Sequence, residues 1–158
     1  MISHLNKKNK PKIVDIIKKT KTKRIAIAEG HVVFSKKIFK KLESMQTKKG
    51  EITNISIIAG IMGAKKTSEL IPLCHNIPIE NIDINIETIP NEFTLLVTAN
   101  VKTTYKTGVE MEALTAVSIA CLTVYDMCKA VDREMKISNI QLNYKSGGKS
   151  GVFKKKVK

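Results

Sequence analysis

Several residue types are scarce in this 158-residue chain, and each scarcity argues against a class of protein. Trp is absent, aromatic residues make up 4%, and the three cysteines have no CxxC spacing. An odd number of cysteines argues against a disulfide framework, and their spacing argues against a zinc site. No apolar run approaches the ~20 residues that span a bilayer, which predicts no membrane association. Because 42% of the residues are hydrophobic, a soluble domain with its own core is expected.

Arginine is also scarce, although the chain is strongly basic. The 28 basic residues exceed the 14 acidic ones, which gives a formal charge of +14, yet only Arg24 and Arg133 are arginine. Recognition of bases and stacking on single strands depend on arginine and aromatic residues. The charge therefore points weakly to anionic ligands and argues against nucleic acid as a partner. A non-catalytic anion-binding or nucleic-acid-binding module stays open as the alternative function.

The lysine-rich ends flank what is predicted to be a single domain over residues 1–158. Residues 1–22 are expected to form an N-terminal arm, and 152–158 a flexible basic tail. The N-terminal stretch lacks the apolar segment of a secretory signal, which predicts a cytoplasmic location.

The first half of the chain alternates between strand and helix patterns. A strand is predicted over 24–34, a helix over 35–45 with Ser35 as N-cap, a basic loop over 47–50, and a second helix over 51–66. The apolar face of that second helix is assigned to Ile55, Ile58, Ala59 and Met62. Gly60 and Gly63 each cost ~1 kcal/mol relative to Ala within a helix, so we expect another backbone or a ligand to approach closely there.

The second half predicts a hairpin, a long helix and a final strand. Two alternating apolar runs, 82–86 and 93–101, flank a turn at Pro90-Asn91. The long helix is predicted from Thr107, through the capping box Thr107-x-x-Glu110, to about Val131, and the last strand spans 136–144. Grouped strands and helices favour an α+β fold in which helices pack on one face of an antiparallel sheet.

The long helix carries one pair of groups with possible chemistry. Asp126 and Lys129 are i, i+3 neighbours, so their side chains can touch. Taken alone, the pair is best interpreted as a surface ion pair worth ~0.3–0.5 kcal/mol. The functional alternative is an acid–base couple. The opposite side of the helix, including Ala113, Ala116, Val117, Ala120, Val124, Met127 and Val131, is predicted to be core, and Cys121 and Cys128 are predicted to be small buried hydrophobes.

A glycine-rich segment, KSGGKSG at 145–151, follows the last strand. It is not a Walker A loop, because Asn143 occupies the position where that motif requires glycine. Three glycines nevertheless free the backbone N–H groups to face an anion, and Lys145 and Lys149 add charge. Phosphate binding is modestly favoured over a flexible linker.

Cys74 and His75 lie in a loop bounded by prolines. No nearby Asp, Glu or His completes a metal site. Adjacent side chains in an extended loop point apart, which disfavours a Cys–His nucleophile pair. His75 is therefore either a hydrogen-bonded structural histidine, the commoner case, or a donor or acid near neutral pH.

Three strings together resemble one family, the cyclic pyranopterin monophosphate synthases (the MoaC family) of molybdenum cofactor biosynthesis. They are IPLCHNIPI at 71–79, KTGVEMEALTAVSIACLTVYDMCKA at 106–130 and KSGGKSG at 145–151. TGVEMEALTA followed by DMCKA is highly specific. The similarity extends over nearly the whole chain.

The resemblance implies a fold, an activity and an assembly. The fold would be ferredoxin-like, and the assembly a hexamer built from dimers with sites between subunits. The enzyme, a lyase, would convert 3′,8-cyclo-7,8-dihydroguanosine 5′-triphosphate to cyclic pyranopterin monophosphate with loss of diphosphate. It would need no metal or cofactor. A radical S-adenosylmethionine GTP cyclase would supply the substrate.

The resemblance also implies the site residues. The catalytic positions would be Asp126, Lys129, Lys49 and Lys145, and the substrate-binding positions Leu73, Cys74, His75, Met111 and Glu112, with Lys149 added for its place in the glycine-rich segment. Asp126 and Lys129 would transfer protons. His75 and Glu112 would orient the rings of the substrate, and the lysines would hold its phosphates.

Overall fold

The structure is a computed structural model that describes residues 4–6, 8–44 and 46–156; the side chains of residues 43–49 lie outside that description. The chain forms a five-stranded antiparallel sheet in the order β2-β3-β1-β4-β5. Its elements, in chain order, are β1 (Thr22–Val33), α1 (Lys36–Ser44), α2 (Gln46–Lys65), α3 (Thr67–Leu70), β2 (Asn81–Ile89), β3 (Thr94–Tyr105), α4 (Glu110–Cys128), β4 (Lys136–Ser146) and β5 (Phe153–Lys154). The predicted α+β class is confirmed. The ferredoxin-like assignment is compatible with this sheet and stays a prediction.

The core lies between the sheet and α4. Alternate residues of the central strand β1 are fully buried, among them Ala26, Ala28 and Val32, while their neighbours are half-buried or exposed. At Gly30 a Cβ atom would lie 2.6 Å from the Cγ1 atom of Val117. The helix α4 therefore packs so closely on β1 that there is no room for a side chain at this position. Small side chains on both elements make this close packing possible.

Most of the predicted core face of α4 is confirmed. Ala113, Ala116, Val117, Ala120 and Val124 are buried, as are Cys121 and Cys128. Met127 and Val131, in contrast, are exposed; Met127 points away from the buried side of the last turn, which carries Val124 and Cys128, and Val131 lies beyond the end of α4 at Cys128. Although α4 is long and apolar enough to span a bilayer by composition, half of the residues in its apolar window are buried inside the protein, as in a core helix of a soluble protein.

The predictions for α2 were wrong in two respects. The helix begins at Gln46, so the predicted loop at 47–50 is helical, in keeping with the high helix propensity of lysine. Its buried face is also a different one from that predicted. Ile55, Ile58 and Met62 are exposed, whereas the buried positions carry small residues, namely Ser56, Gly60, Gly63 and Ala64.

Close approach of α2 to α4 explains this choice of face. A Cβ atom at Gly60 would lie 2.9 Å from the carbonyl oxygen of Ala116, and one at Gly63 would lie 2.7 Å from the Cγ1 atom of Ile119. Larger side chains at these positions would hold the helices apart, so Ile55, Ile58 and Met62 lie on the outer side. The expectation that the two glycines mark a close backbone approach is confirmed.

Gly60→Ala is therefore expected to destabilise the protein by about 1–3 kcal/mol, because the new methyl group meets backbone and side-chain atoms that are already packed. Gly50→Ala is the matched control in the same helix, since nothing lies within 4 Å of its Cβ position. That change should stabilise the protein by up to ~1 kcal/mol through helix propensity alone. Urea unfolding of both variants measures the difference, and equal stabilities would contradict the close packing.

The predicted hairpin and the predicted start of α1 after Ser35 are confirmed, whereas the start of α4 and two predicted capping side chains are corrected. β2 and β3 pair in the register Ile84↔Ala99, with a short 3-10 turn over Pro90–Glu92. The residue before α4 is Val109, and no side chain caps the helix, so the capping box at Thr107 was wrong. Ser35 does precede α1, but its N–H and hydroxyl both donate to Asp132 Oδ2 at 2.9 Å, so its side chain braces another segment instead.

The end of the chain adds a strand that the sequence pattern did not predict. Phe153 and Lys154 form β5, which pairs with the end of β4 at the edge of the sheet. The flexibility predicted for 152–158 stays a prediction.

Candidate functional site

Two adjoining clefts open where α4 begins. The smaller one, about 300 Å³, lies between the 73–77 segment, the N-terminal arm and the first turn of α4. The larger one, about 990 Å³, lies between the arm, the 106–110 segment and the glycine-rich segment. Lys19, Thr107, Gly108 and Glu110 line both, so these residues form a wall that the two clefts share.

The structure brings together five of the predicted substrate-binding residues. Leu73, Cys74, His75, Met111 and Glu112 all line the smaller cleft. Lys149 lines the larger one together with Gly148 and Ser150. Residues more than thirty positions apart in the sequence therefore meet in one place.

His75 is held by the N-terminal arm. Its Nε2 atom lies 2.7 Å from the carbonyl oxygen of Val14, and because a carbonyl only accepts, the ring N–H donates. The bond orients the ring and leaves Nδ1 for another partner, as an acceptor in the neutral ring or a donor in the charged one. The arm thus helps to build the site.

Glu112 is a buried carboxyl group with a strongly altered acidity. Only 4% of the residue is exposed. The pKa of Glu112 is raised to about 7, mainly by burial; a backbone hydrogen bond lowers it in part, and the negative charge of Glu110 adds to the rise. A carboxyl group that titrates near neutrality can both accept and donate a proton under working conditions.

Cys74 shares this environment. Burial raises the pKa of its thiol, and the nearby charge of Glu112 adds to the effect. The thiol is therefore protonated at neutral pH, which argues against a thiolate nucleophile and agrees with the sequence-based interpretation.

The glycine-rich segment is shaped by both backbone conformation and space. Gly147, Gly148 and Gly151 have positive φ angles of 98°, 72° and 64°. A Cβ atom at Gly148 would lie 1.8 Å from Nη1 of Arg24, and one at Gly147 would lie 2.1 Å from the carbonyl oxygen of Lys23. The Nζ atom of Lys145 donates to the hydroxyl of Ser150 within the same segment. The turn is thus pressed against β1.

Arg24 joins the walls of the larger cleft, and sequence reasoning gave it no role. The residue is only 9% exposed, and its guanidinium donates to the carbonyl oxygens of Tyr105 at 3.2 Å and Lys106 at 3.3 Å. None of the ion pairs seen among the described residues includes it. A buried cation without a carboxylate partner favours an anionic ligand nearby. In the sequence, the one sign of a special role for Arg24 was that arginine is rare in this lysine-rich chain.

Asp126 and Lys129 form the predicted pair, but away from these clefts. Lys129 Nζ donates to Asp126 Oδ1 at 2.6 Å, and the side chains are 58% and 69% exposed respectively. The hydrogen bond and charge of Asp126 raise the pKa of Lys129, so its amine is a cation. Fourteen residues of α4 separate Asp126 from Glu112, which at about 1.5 Å per residue is roughly 21 Å. One protomer therefore does not bring them together. The side chain of Lys49 lies outside the described residues.

Comparison with known proteins decides the family, since residues 13–148 match the model of the MoaC family. The chain belongs to the MoaC family. It is 50% identical over 156 residues to the cyclic pyranopterin monophosphate synthase of Helicobacter pylori strain G27, with 99% of each chain covered. Synthases of the same name from Brevibacillus brevis (48% over 152 residues, 96% and 94% covered) and Clostridium botulinum strain Alaska E43 (50% over 151 residues, 96% and 95% covered) are similar to the same extent.

Membership of the MoaC family confirms the recognition made from three sequence strings. It does not test the role of any single residue, so the catalytic and substrate-binding roles predicted from the sequence remain predictions. The structure adds Glu110 to the candidate residues of this MoaC-family chain, because it lines both clefts and acts on the pKa of Glu112. Its place two residues before Glu112 in the first turn of α4 was visible in the sequence, but it was interpreted as half of a capping box.

Proposed function

We propose that this chain is a lyase that converts 3′,8-cyclo-7,8-dihydroguanosine 5′-triphosphate to cyclic pyranopterin monophosphate and diphosphate. One observation carries the proposal. A cleft lined by His75 and by Glu112, a carboxyl group with a pKa of about 7, adjoins a larger cleft lined by cations. A substrate with a polar ring system at one end and a triphosphate at the other matches this pair of clefts. The names of the relatives point to the same reaction.

The larger cleft is suited to the phosphates. Its lining contains five cationic residues and two acidic ones, namely Lys18, Lys19, Arg24, Lys106 and Lys149 against Asp15 and Glu110. Fixed cations stabilise the negative charge that develops on a departing diphosphate. Lysine does this with a compact point charge, and arginine with a planar guanidinium group that can donate two hydrogen bonds to one phosphate. We assign Lys145 and Lys49 to the same task.

Two kinds of proton transfer are required. Ring rearrangement moves protons on the pterin precursor, and we assign this to Glu112 and His75 at the smaller cleft. To close the cyclic phosphate, a substrate hydroxyl attacks the α-phosphorus while the bond to the diphosphate breaks, and a base must take the hydroxyl proton. We assign this step to the Asp126–Lys129 pair, in which Lys129, a cation in the free protomer, can also neutralise the leaving group.

The site is completed between subunits of a homohexamer built from dimers. Two features support this part of the proposal. The Asp126–Lys129 pair is exposed and roughly 21 Å along α4 from Glu112. The outer side of the helical layer also exposes large apolar residues, namely Ile55, Ile58, Met62 and Leu122, as expected of a surface that is covered in an assembly.

In the cytoplasm, a radical S-adenosylmethionine GTP cyclase would supply the substrate to this single-domain enzyme.

One assay tests the proposal. Purified protein is incubated with the cyclic triphosphate, and diphosphate and the pterin product are measured. We expect diphosphate and the pterin product to form in equal molar amounts without added metal. The alternative, an anion-binding or nucleic-acid-binding module, predicts no product and an affinity that falls steeply with salt.

A further inference from the structure

The C-terminal tail closes the glycine-rich segment into a hairpin. β5 pairs antiparallel with the end of β4, with Lys154 opposite Tyr144 and Phe153 opposite Lys145. One residue further on, the N–H of Lys155 donates to the carbonyl oxygen of Asn143 at 2.8 Å. Residues 146–152 are therefore held at both ends.

Side chains tie the same tail to the centre of the sheet. The Nζ atom of Lys155 donates to the Oε1 atom of Gln141. Gln141 in turn donates to Oε1 of Glu29 at 2.5 Å, and Asn143 donates to Oε2 of the same carboxylate. Glu29 lies on β1, the central strand. A chain of hydrogen bonds thus runs from the tail, across β4, to the central strand.

The hairpin carries two of the proposed phosphate-binding lysines. Lys145 is itself paired with β5, and Lys149 lies near the tip, where it lines the larger cleft. One side of the hairpin rests on Arg24 and the carbonyl of Lys23. The C-terminal end of the hairpin is held by β5 and Lys155, and no described strand lies beyond β5 on that edge of the sheet.

We propose that β5 and Lys155 position the glycine-rich hairpin, which begins beside Lys145, so that Lys149 faces the cleft. Lys155 is then a positioning residue that does not touch the substrate. A two-residue strand pairing is short, so the polar contact of Lys155 has a large share in keeping the hairpin closed. The effect on catalysis rests on the proposed function of the cleft, whereas the closure of the hairpin does not.

The test compares Lys155→Met with Lys156→Met. Both changes remove one positive charge from the exposed tail, but no described hydrogen bond involves the side chain of Lys156. Loss of a hydrogen bond worth ~1 kcal/mol corresponds to about fivefold in affinity. We therefore expect Lys155→Met to raise KM for the cyclic triphosphate about fivefold, with kcat and Tm close to wild type, and Lys156→Met to change neither. A chain that ends after Gly151 should raise KM further.

Hydrogen exchange gives a second readout that does not depend on turnover. The peptide 144–156 should exchange faster in Lys155→Met than in wild type or Lys156→Met. Equal KM values and equal exchange for the two variants would overturn the proposal, as would a wild-type KM in the shortened chain. If wild-type protein makes no product, the proposed function fails, while faster exchange in Lys155→Met alone still supports the closure of the hairpin by Lys155.

Discussion

Co-expression of Asp126→Asn and Glu112→Gln subunits is expected to restore activity that neither variant has alone. Each single variant should lose at least about a hundredfold in kcat, the usual effect of removing a general acid or base. If every site takes Glu112 from one subunit and Asp126 from another, random mixing leaves about one quarter of the sites intact. The measured rate should therefore approach about one quarter of the wild-type rate.

The chain offers a matched control for this experiment. Asp126 and Lys129 lie one helical turn apart and are bonded to each other at 2.6 Å, so they belong to the same half of any shared site. Co-expressed Asp126→Asn and Lys129→Ala subunits should consequently stay inactive at every ratio. Recovery in this control, or no recovery in the first mixture, would rule out a site divided between Glu112 and the Asp126–Lys129 pair.

A second large effect is expected on stability, from Glu112→Gln. In the folded protein burial raises the pKa of Glu112 to about 7, whereas an unfolded glutamate titrates near ~4.3. Between these values the folded state binds a proton that the unfolded state has released, so stability falls as the pH rises. At about 1.36 kcal/mol per pH unit, the loss approaches ~4 kcal/mol above pH 7.

Glutamine removes this loss, because it stays neutral at every pH. The variant should match wild type at pH 4.5 and exceed it by ~4 kcal/mol at pH 8, or roughly 8–16 °C in Tm for a chain of this size. Urea unfolding at both pH values measures the difference. Glu69→Gln, at an exposed carboxylate 3.9 Å from Lys66, serves as the control and should follow the wild-type pH dependence. A variant less stable than wild type at pH 8 would show that the ionised carboxylate is compensated in the fold.

A buried group that destabilises the fold at working pH is typical of a functional site. The stability lost when Glu112 ionises is tolerated in exchange for a carboxyl group that titrates near neutrality. The same variant should therefore gain stability and lose turnover, which separates a catalytic role from a structural one.

The sequence by itself determined the local elements and the family. The alternation at 82–101 predicted the hairpin, because side chains of a strand point to its two faces in turn. The spacing of alanines and valines in 113–124 predicted the core face of α4. The specific strings around His75, Glu112 and Asp126 identified the MoaC family and brought in the candidate residues.

Only the tertiary structure decided which surfaces met. Apolar spacing put the bulky side of α2 inside, but the helix approaches α4 so closely that only Gly60, Gly63 and their small neighbours fit. The acidity of Glu112 depends on burial by segments distant in sequence. The pairing of β5 with β4 likewise depends on how the glycine-rich segment turns the chain back on itself. Patterns along the chain encode local conformation, whereas burial, electrostatic environment and strand pairing are set by contacts between distant residues.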